Sequence, residues 1–194
     1  SQDAIKPKYQ YRVVEGTLEK QKDGSTTFKP VDDDGILIIN GNAYKAESTT
    51  ADKSNATITL TNTLQNPKFT LDVTKKSAES DGEGGKQKLL AGVEFTLERL
   101  KMDGTGNTVV DSSFDKRTGV TNDKGELMLT DSSGEATATK GFKELEAGTY
   151  RLTETKAAKD YNLLSEPITI IFSKDGKSQV GAGVLTEDKT GTNY

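Results

Sequence analysis

Nowhere does the chain sustain the three- and four-residue apolar spacing of an amphipathic helix. It carries many short runs in which apolar or β-branched residues alternate with polar ones. Turn signals separate these runs: "DDDG" (Asp32–Gly35), "NDKG" (Asn122–Gly125) and "SKDGK" (Ser173–Lys177) each join turn-favouring residues to a glycine able to take a positive φ. Alternation with frequent turns predicts an all-β protein built as a β-sandwich. Strands are expected at Tyr9–Glu15, Gly35–Ile39, Ala56–Asn62, Phe69–Lys75, Val93–Leu100, Glu126–Leu129, Thr149–Thr155, Ile168–Phe172 and Val180–Leu185. The polar, glycine-rich stretches Ser77–Gln87 and Asp131–Gly141 are expected to be exposed loops.

Proline marks a boundary. In "TLQNPKF", Asn66 and Pro67 interrupt the runs "ATITLTN" and "FTLDVTK", and proline cannot donate to a central ladder. The expected division is residues 1–66 and 67–194, with the first unit incomplete. Ser1 in first place and the lack of a signal or anchor motif read as ends cut from a longer chain.

What is missing restricts the chemistry. Among 194 residues there is no cysteine, histidine or tryptophan, hence no thiol nucleophile, imidazole base or ordinary zinc site. Carboxylates, lysines, hydroxyls and tyrosines remain. The aspartate clusters do not match a twelve-residue calcium loop and read as solvated turns, so no metal or cofactor is expected. A net charge of −4 gives no basic footprint for nucleic acid, and no apolar run is long enough to span a bilayer.

Strand period singles out charged residues on inward faces. Tyr150, Leu152 and Glu154 share one face of "GTYRLTETK", with Arg151, Thr153 and Thr155 on the other. By the same count Phe69, Leu71 and Val73 lead to Lys75, Tyr11 and Val13 lead to Glu15, and Ile58 and Leu60 lead to Asn62. A strand's inner face often ends in solvent, which accounts for any one of these residues; their recurrence at strand ends points instead to a spontaneous bond between side chains. Burial favours a neutral amine in a lysine and a protonated carboxyl in a glutamate. The amine attacks an asparagine amide carbon, the glutamate shuttles protons, ammonia leaves, and an amide crosslink remains.

The segments "LDVTKK", "LLAGVEFTLERL", "GVTNDKGELML" and "FKELEAGTYRLTETKAAKDYNLLSEPITI" resemble, in order, the CnaB-type domains of Gram-positive sortase-assembled pilins and surface adhesins, over about residues 68–172. The resemblance implies tandem immunoglobulin-like β-sandwiches stabilised by internal isopeptide bonds from lysine to asparagine or aspartate. By position Lys75 is the nucleophile and Glu154 the proton shuttle, while alternation turns Lys76 outward. Family acceptors sit on a final strand; after Phe172 the candidates are Asp188 in "LTEDK" and Asn193 in "TGTNY", neither preceded by an alternating strand. The expected final strand therefore lies beyond Tyr194 or is lost. In the first unit "YQYRVVE" is similar to the family's glutamate strand with Glu15, and "ATITLTNT" to its last strand with Asn62 as acceptor, but only Lys6 and Lys8 precede them.

The implied role is structural: a pilin subunit or adhesin stalk outside the cell, at the cell wall or pilus surface, whose partners are the rest of its chain or a neighbouring subunit. It is not an enzyme on external substrates. The alternative is an adhesin module that binds a host matrix or plasma protein, which clustered exposed aromatics would favour; aromatic residues make up only 6% of the chain.

Overall fold

The computed structural model describes residues 16–31, 35–52, 57–80 and 87–182, and every described element is a β-strand or a turn. The chain divides into two compact units, Ser1–Gln65 and Asn66–Tyr194.

The first unit holds two small antiparallel assemblies. Strands β1 (Gly16–Lys20) and β2 (Thr26–Pro30) form a hairpin, and β3 (Ile36–Ile39), β4 (Asn42–Asp52) and β5 (Thr57–Leu64) form a three-stranded meander. Its described buried apolar residues are Leu37 and Ala43. Leu60, expected to face inward beside Asn62, is 41% exposed; it lies on β5, the edge strand of the meander, paired only with β4 among the described residues.

The second unit is a sandwich of unequal layers. Its large sheet runs in the order β13 (Ala136–Lys140), β12 (Leu127–Thr130), β11 (Arg117–Thr121), β9 (Glu94–Met102), β15 (Gly148–Lys156), β16 (Ile168–Phe172) and β17 (Ser178–Ala182), with β10 (Thr108–Val110) also paired to β9. Against it lie the pair β6 (Lys68–Leu71) and β14 (Phe142–Glu146) and the hairpin β7 (Lys76–Ser80) with β8 (Gln87–Leu89). The period-two faces of β9 and β15 build the core: Phe95 and Leu97 pair across from Glu154 and Leu152, and Tyr150 stands one step further along. From the smaller layer come Phe69, Leu71 and Val73, with the Phe69 and Phe172 rings stacked at 4.5 Å. The result is the all-β sandwich read from alternation.

Three sequence expectations need correction. The strand through Lys75 ends as a regular ladder at Leu71, because the chain changes partners: Phe69 and Leu71 pair with β14, whereas Val73 accepts from Leu127 and Thr74 bridges Glu126. Alternation of side chains nevertheless continues, and Val73 and Lys75 stay half-buried while Asp72, Thr74 and Lys76 are exposed. Nor is Asp131–Gly141 simply a loop. Only its first residues turn; Ala136–Lys140 form the edge strand β13, whose polar, small side chains suit a position paired on one side. The other expected loop, Ser77–Gln87, likewise gives up Ser77–Ser80 to β7 and Gln87 to β8.

Candidate functional site

The site lies where β15 leaves the core. Glu154 is the last residue of β15 in regular register with β9, opposite Phe95, and the register shifts between Glu154 and Lys156. A bulge at that point ends the uniform ladder and increases local twist, immediately after the side chain has been delivered to the buried face. Tyr150 and Leu152 precede it on that face, so the carboxylate closes an apolar row.

Lys75 approaches from the opposite layer. Its backbone is held on both sides: its amide donates to the carbonyl of Gly125 at 2.8 Å, and its carbonyl accepts from the amide of Leu90 at 3.0 Å. Its side chain crosses to Glu154, with Nζ donating to Oε2 at 2.8 Å. The side chains are 17% and 1% exposed, so this is an ion pair lodged in the edge of the core. Such a pair loses much hydration and repays it only through close geometry and further hydrogen bonds. Glu154 has one such bond to spare: Oε1 is buried and has no hydrogen-bond partner among the described residues. Chemically, the arrangement offers an amine in contact with a carboxylate, and beside them a carboxylate oxygen available to a third group.

Asn62 lies on β5 in the first unit, opposite Ala46. Glu15, Asp188 and Asn193 lie outside the described residues, as do Lys6 and Lys8. Lys76 opens β7, exposed on the outward side as alternation places it.

Sequence reasoning did not find the polar cluster at the other end of the sandwich. Arg99 donates to Asp111 at 2.9 Å and to Ser113 at 3.0 Å, and Arg99 and Arg117 lie 5.4 and 5.3 Å from the Phe114 ring centroid. Hydrogen bonds from the Ser113 hydroxyl and amide, reinforced by Arg99, hold the Asp111 carboxyl well below the usual carboxylate range. Burial pushes the Tyr150 phenol upward, and its hydroxyl donates to the carbonyl of Glu146. A concavity of about 430 Å³ adjoins these residues, and two of the charged side chains that line it are paired, Lys68 with Glu146 and Arg99 with the neighbouring Asp111. The signal was the spacing of Arg99, Asp111 and Arg117, which shows its meaning only once β9 and β11 are seen to be neighbours. Among the described residues no group of acidic side chains is arranged to hold a metal ion.

Comparison with known proteins supplies the setting. The family model of the SpaA prealbumin-like fold domain matches residues 70–183, more than half of the chain, and spans both Lys75 and Glu154. Among solved structures, the C-terminal fragment of the pilus adhesin SpaC from Lactobacillus rhamnosus GG is similar at 24% identity with a TM-score of 0.35. The match covers 90% of this chain and 58% of that one. No curated protein matches the chain.

Proposed function

Because the chain belongs to the SpaA prealbumin-like fold domain family, we propose that it is a structural segment of a Gram-positive pilin subunit or adhesin stalk, stiffened by an isopeptide bond formed at Lys75. The observation that carries this reading is the contact of Lys75 Nζ with Glu154 Oε2 at 2.8 Å, with the second carboxylate oxygen buried and open to another group.

The reaction needs three things, and the described residues supply two, the amine of Lys75 and the carboxylate of Glu154. Glu154 takes a proton from the Lys75 ammonium, and the neutral amine attacks the side-chain carbonyl carbon of an asparagine or aspartate. The new N–C bond replaces the C–N bond of an asparagine, releasing ammonia, or the C–O bond of a protonated aspartate, releasing water. Oε1 is placed to hydrogen-bond the acceptor's carboxamide or carboxyl, and the low-dielectric surroundings strengthen that contact. Glu154 serves one self-modification, so the chain has no turnover on external substrates. The acceptor is Asp188, Asn193 or a residue on another segment, and residues 1–66 act as the C-terminal part of a similar domain in which Glu15 and Asn62 play the corresponding parts. Partners are then the rest of the same surface protein or a neighbouring subunit, and the location is the outside of the cell.

A crosslink between strands distant in sequence restricts the unfolded ensemble as a long-loop disulfide does, which suits a surface protein with no cysteine. Intact-mass measurement under denaturing conditions tests the proposal. The wild type and Lys76→Ala are expected to lose one ammonia or one water per bond, whereas Lys75→Ala and Glu154→Ala keep that group at the second-unit site. The bond assignment fails if the Glu154→Ala chain shows the same loss as the wild type.

A further inference from the structure

We propose that the turn Asn122–Glu126 is the positioning element for Lys75, and that Gly125 is the residue that fixes the lysine's approach to Glu154. This rests on the reading of Lys75 as a nucleophile, and it adds a residue that does not touch the reacting atoms.

Gly125 accepts the Lys75 amide through its carbonyl at 2.8 Å, while Leu90 donates to the Lys75 carbonyl from the far side at 3.0 Å. Both polar groups of the lysine's backbone are therefore tied, one to the turn and one to the residue following β8. Gly125 itself has φ of +69°, and a Cβ built there would stand 2.5 Å from the Lys75 carbonyl oxygen and 3.4 Å from both Leu89 Cβ and Leu90 N. Glycine is required twice over, for the left-handed backbone and for the close approach. A side chain at this position would push the lysine backbone away from the turn.

The turn is stiff. Asn122 Oδ1 accepts from the amides of Lys124 and Glu126, each at 3.0 Å, and the main chain closes through Gly125 N to Asn122 O at 2.8 Å and Asn122 N to Glu126 O at 2.9 Å. Next to it, Leu127 donates to Val73 at 2.9 Å, so the segment that aims Lys75 is docked along three consecutive contacts. Since a misplacement on the order of 1 Å costs about a hundredfold in a positioned reaction, a clamp on the lysine backbone governs how often Nζ meets the carboxylate.

A second turn in the same unit is a matched control. Asp131–Glu135 has the same build: Asp131 Oδ1 accepts from Ser133 and Glu135, and Gly134 donates to the Asp131 carbonyl. Gly134 has φ of +88°, but a Cβ there would meet nothing within 4 Å. Alanine at 134 imposes the backbone strain alone; alanine at 125 imposes the strain and the collision with Lys75.

The experiment is nuclear magnetic resonance on the full chain uniformly labelled with 15N, following proton exchange at Lys75 Nζ, whose signal is identified by its loss in Lys75→Arg. Nζ reports whether it is an ammonium or an isopeptide amide. Gly125→Ala is expected to speed this exchange by about tenfold or more, with Gly134→Ala within about twofold of wild type and backbone exchange at Leu97 and Leu152 unchanged in both. Unchanged Nζ exchange in a folded Gly125→Ala chain overturns the positioning role. If that chain does not fold, Asn122→Ala takes its place, removing three side-chain hydrogen bonds, to the amides of Lys124 and Glu126 and to the Glu126 carboxylate, and keeping the glycine. It is expected to speed Nζ exchange by about threefold or more, and no change overturns the role. The intact mass is read on the same samples: a wild type at its plain sequence mass counts against the bond itself, and the exchange comparison judges the clamp separately.

Discussion

Replacing Lys75 with methionine leaves the Glu154 carboxylate stranded. The methionine keeps the apolar stem but not the charge, so a side chain that is 1% exposed loses its ion-pair partner at Oε2 while Oε1 already lacks one among the described residues. Removing one partner of a buried pair typically costs about 3–5 kcal/mol, because the other charge is left uncompensated. Adding Glu154→Gln removes that charge and leaves a buried neutral amide, whose incomplete hydrogen bonding costs about 1–3 kcal/mol. The double variant is therefore expected to be more stable than Lys75→Met alone by about 2 kcal/mol at pH 7, the difference of these two costs. Neither chain can form the Lys75 crosslink, so the comparison isolates the cost of the buried carboxylate left without its lysine. In urea titration, with a slope of about 2 kcal/mol per molar, the midpoint moves up by about 1 M. A double variant no more stable than the single one refutes the picture of a carboxylate held in the core by Lys75.

Three further measurements examine the frame around the site. Leu97→Ala, at a fully buried centre of β9, should cost about 3 kcal/mol in denaturant titration, while Val180→Ala, 69% exposed on the edge strand β17, should stay within about 0.5 kcal/mol of wild type. Tyr150→Phe keeps the ring packing and loses the bond to the Glu146 carbonyl, an expected loss of about 1 kcal/mol by the same titration. Because the Asp111 carboxyl is held below its ordinary value, its contribution is fully present above about pH 4 and is lost as pH falls through the lower folded value. Asp111→Asn should accordingly show a shallower loss of stability than wild type below about pH 4, followed by circular dichroism.

Strand period made the second unit's core readable. The alternation of "GTYRLTETK" places Tyr150, Leu152 and Glu154 on the buried face, and Ile168–Phe172 appears with the bounds expected from sequence. Lys75 was readable for the same reason, although its strand ends at Leu71. A change of partner from β14 to the Gly125–Leu127 segment leaves side-chain alternation intact, and alternation is all that the sequence displays. Strands with little apolar content were not readable. Ala136–Lys140 is small and polar because it is an edge, and Arg117–Thr121 carries Gly119, whose missing Cβ makes room for Leu127. The clamp at Gly125 was visible only as a turn signal; its second purpose depends on Lys75 lying against it, a contact between residues fifty positions apart in the chain.

Peptide mapping of the tryptic digest tests the central claim most directly. The expected product is a branched peptide in which Lys75 Nζ is joined to the side-chain carbonyl of an asparagine or aspartate, present in wild type and absent in Glu154→Ala. Recovery of the Lys75 peptides wholly unbranched from the wild type would contradict it.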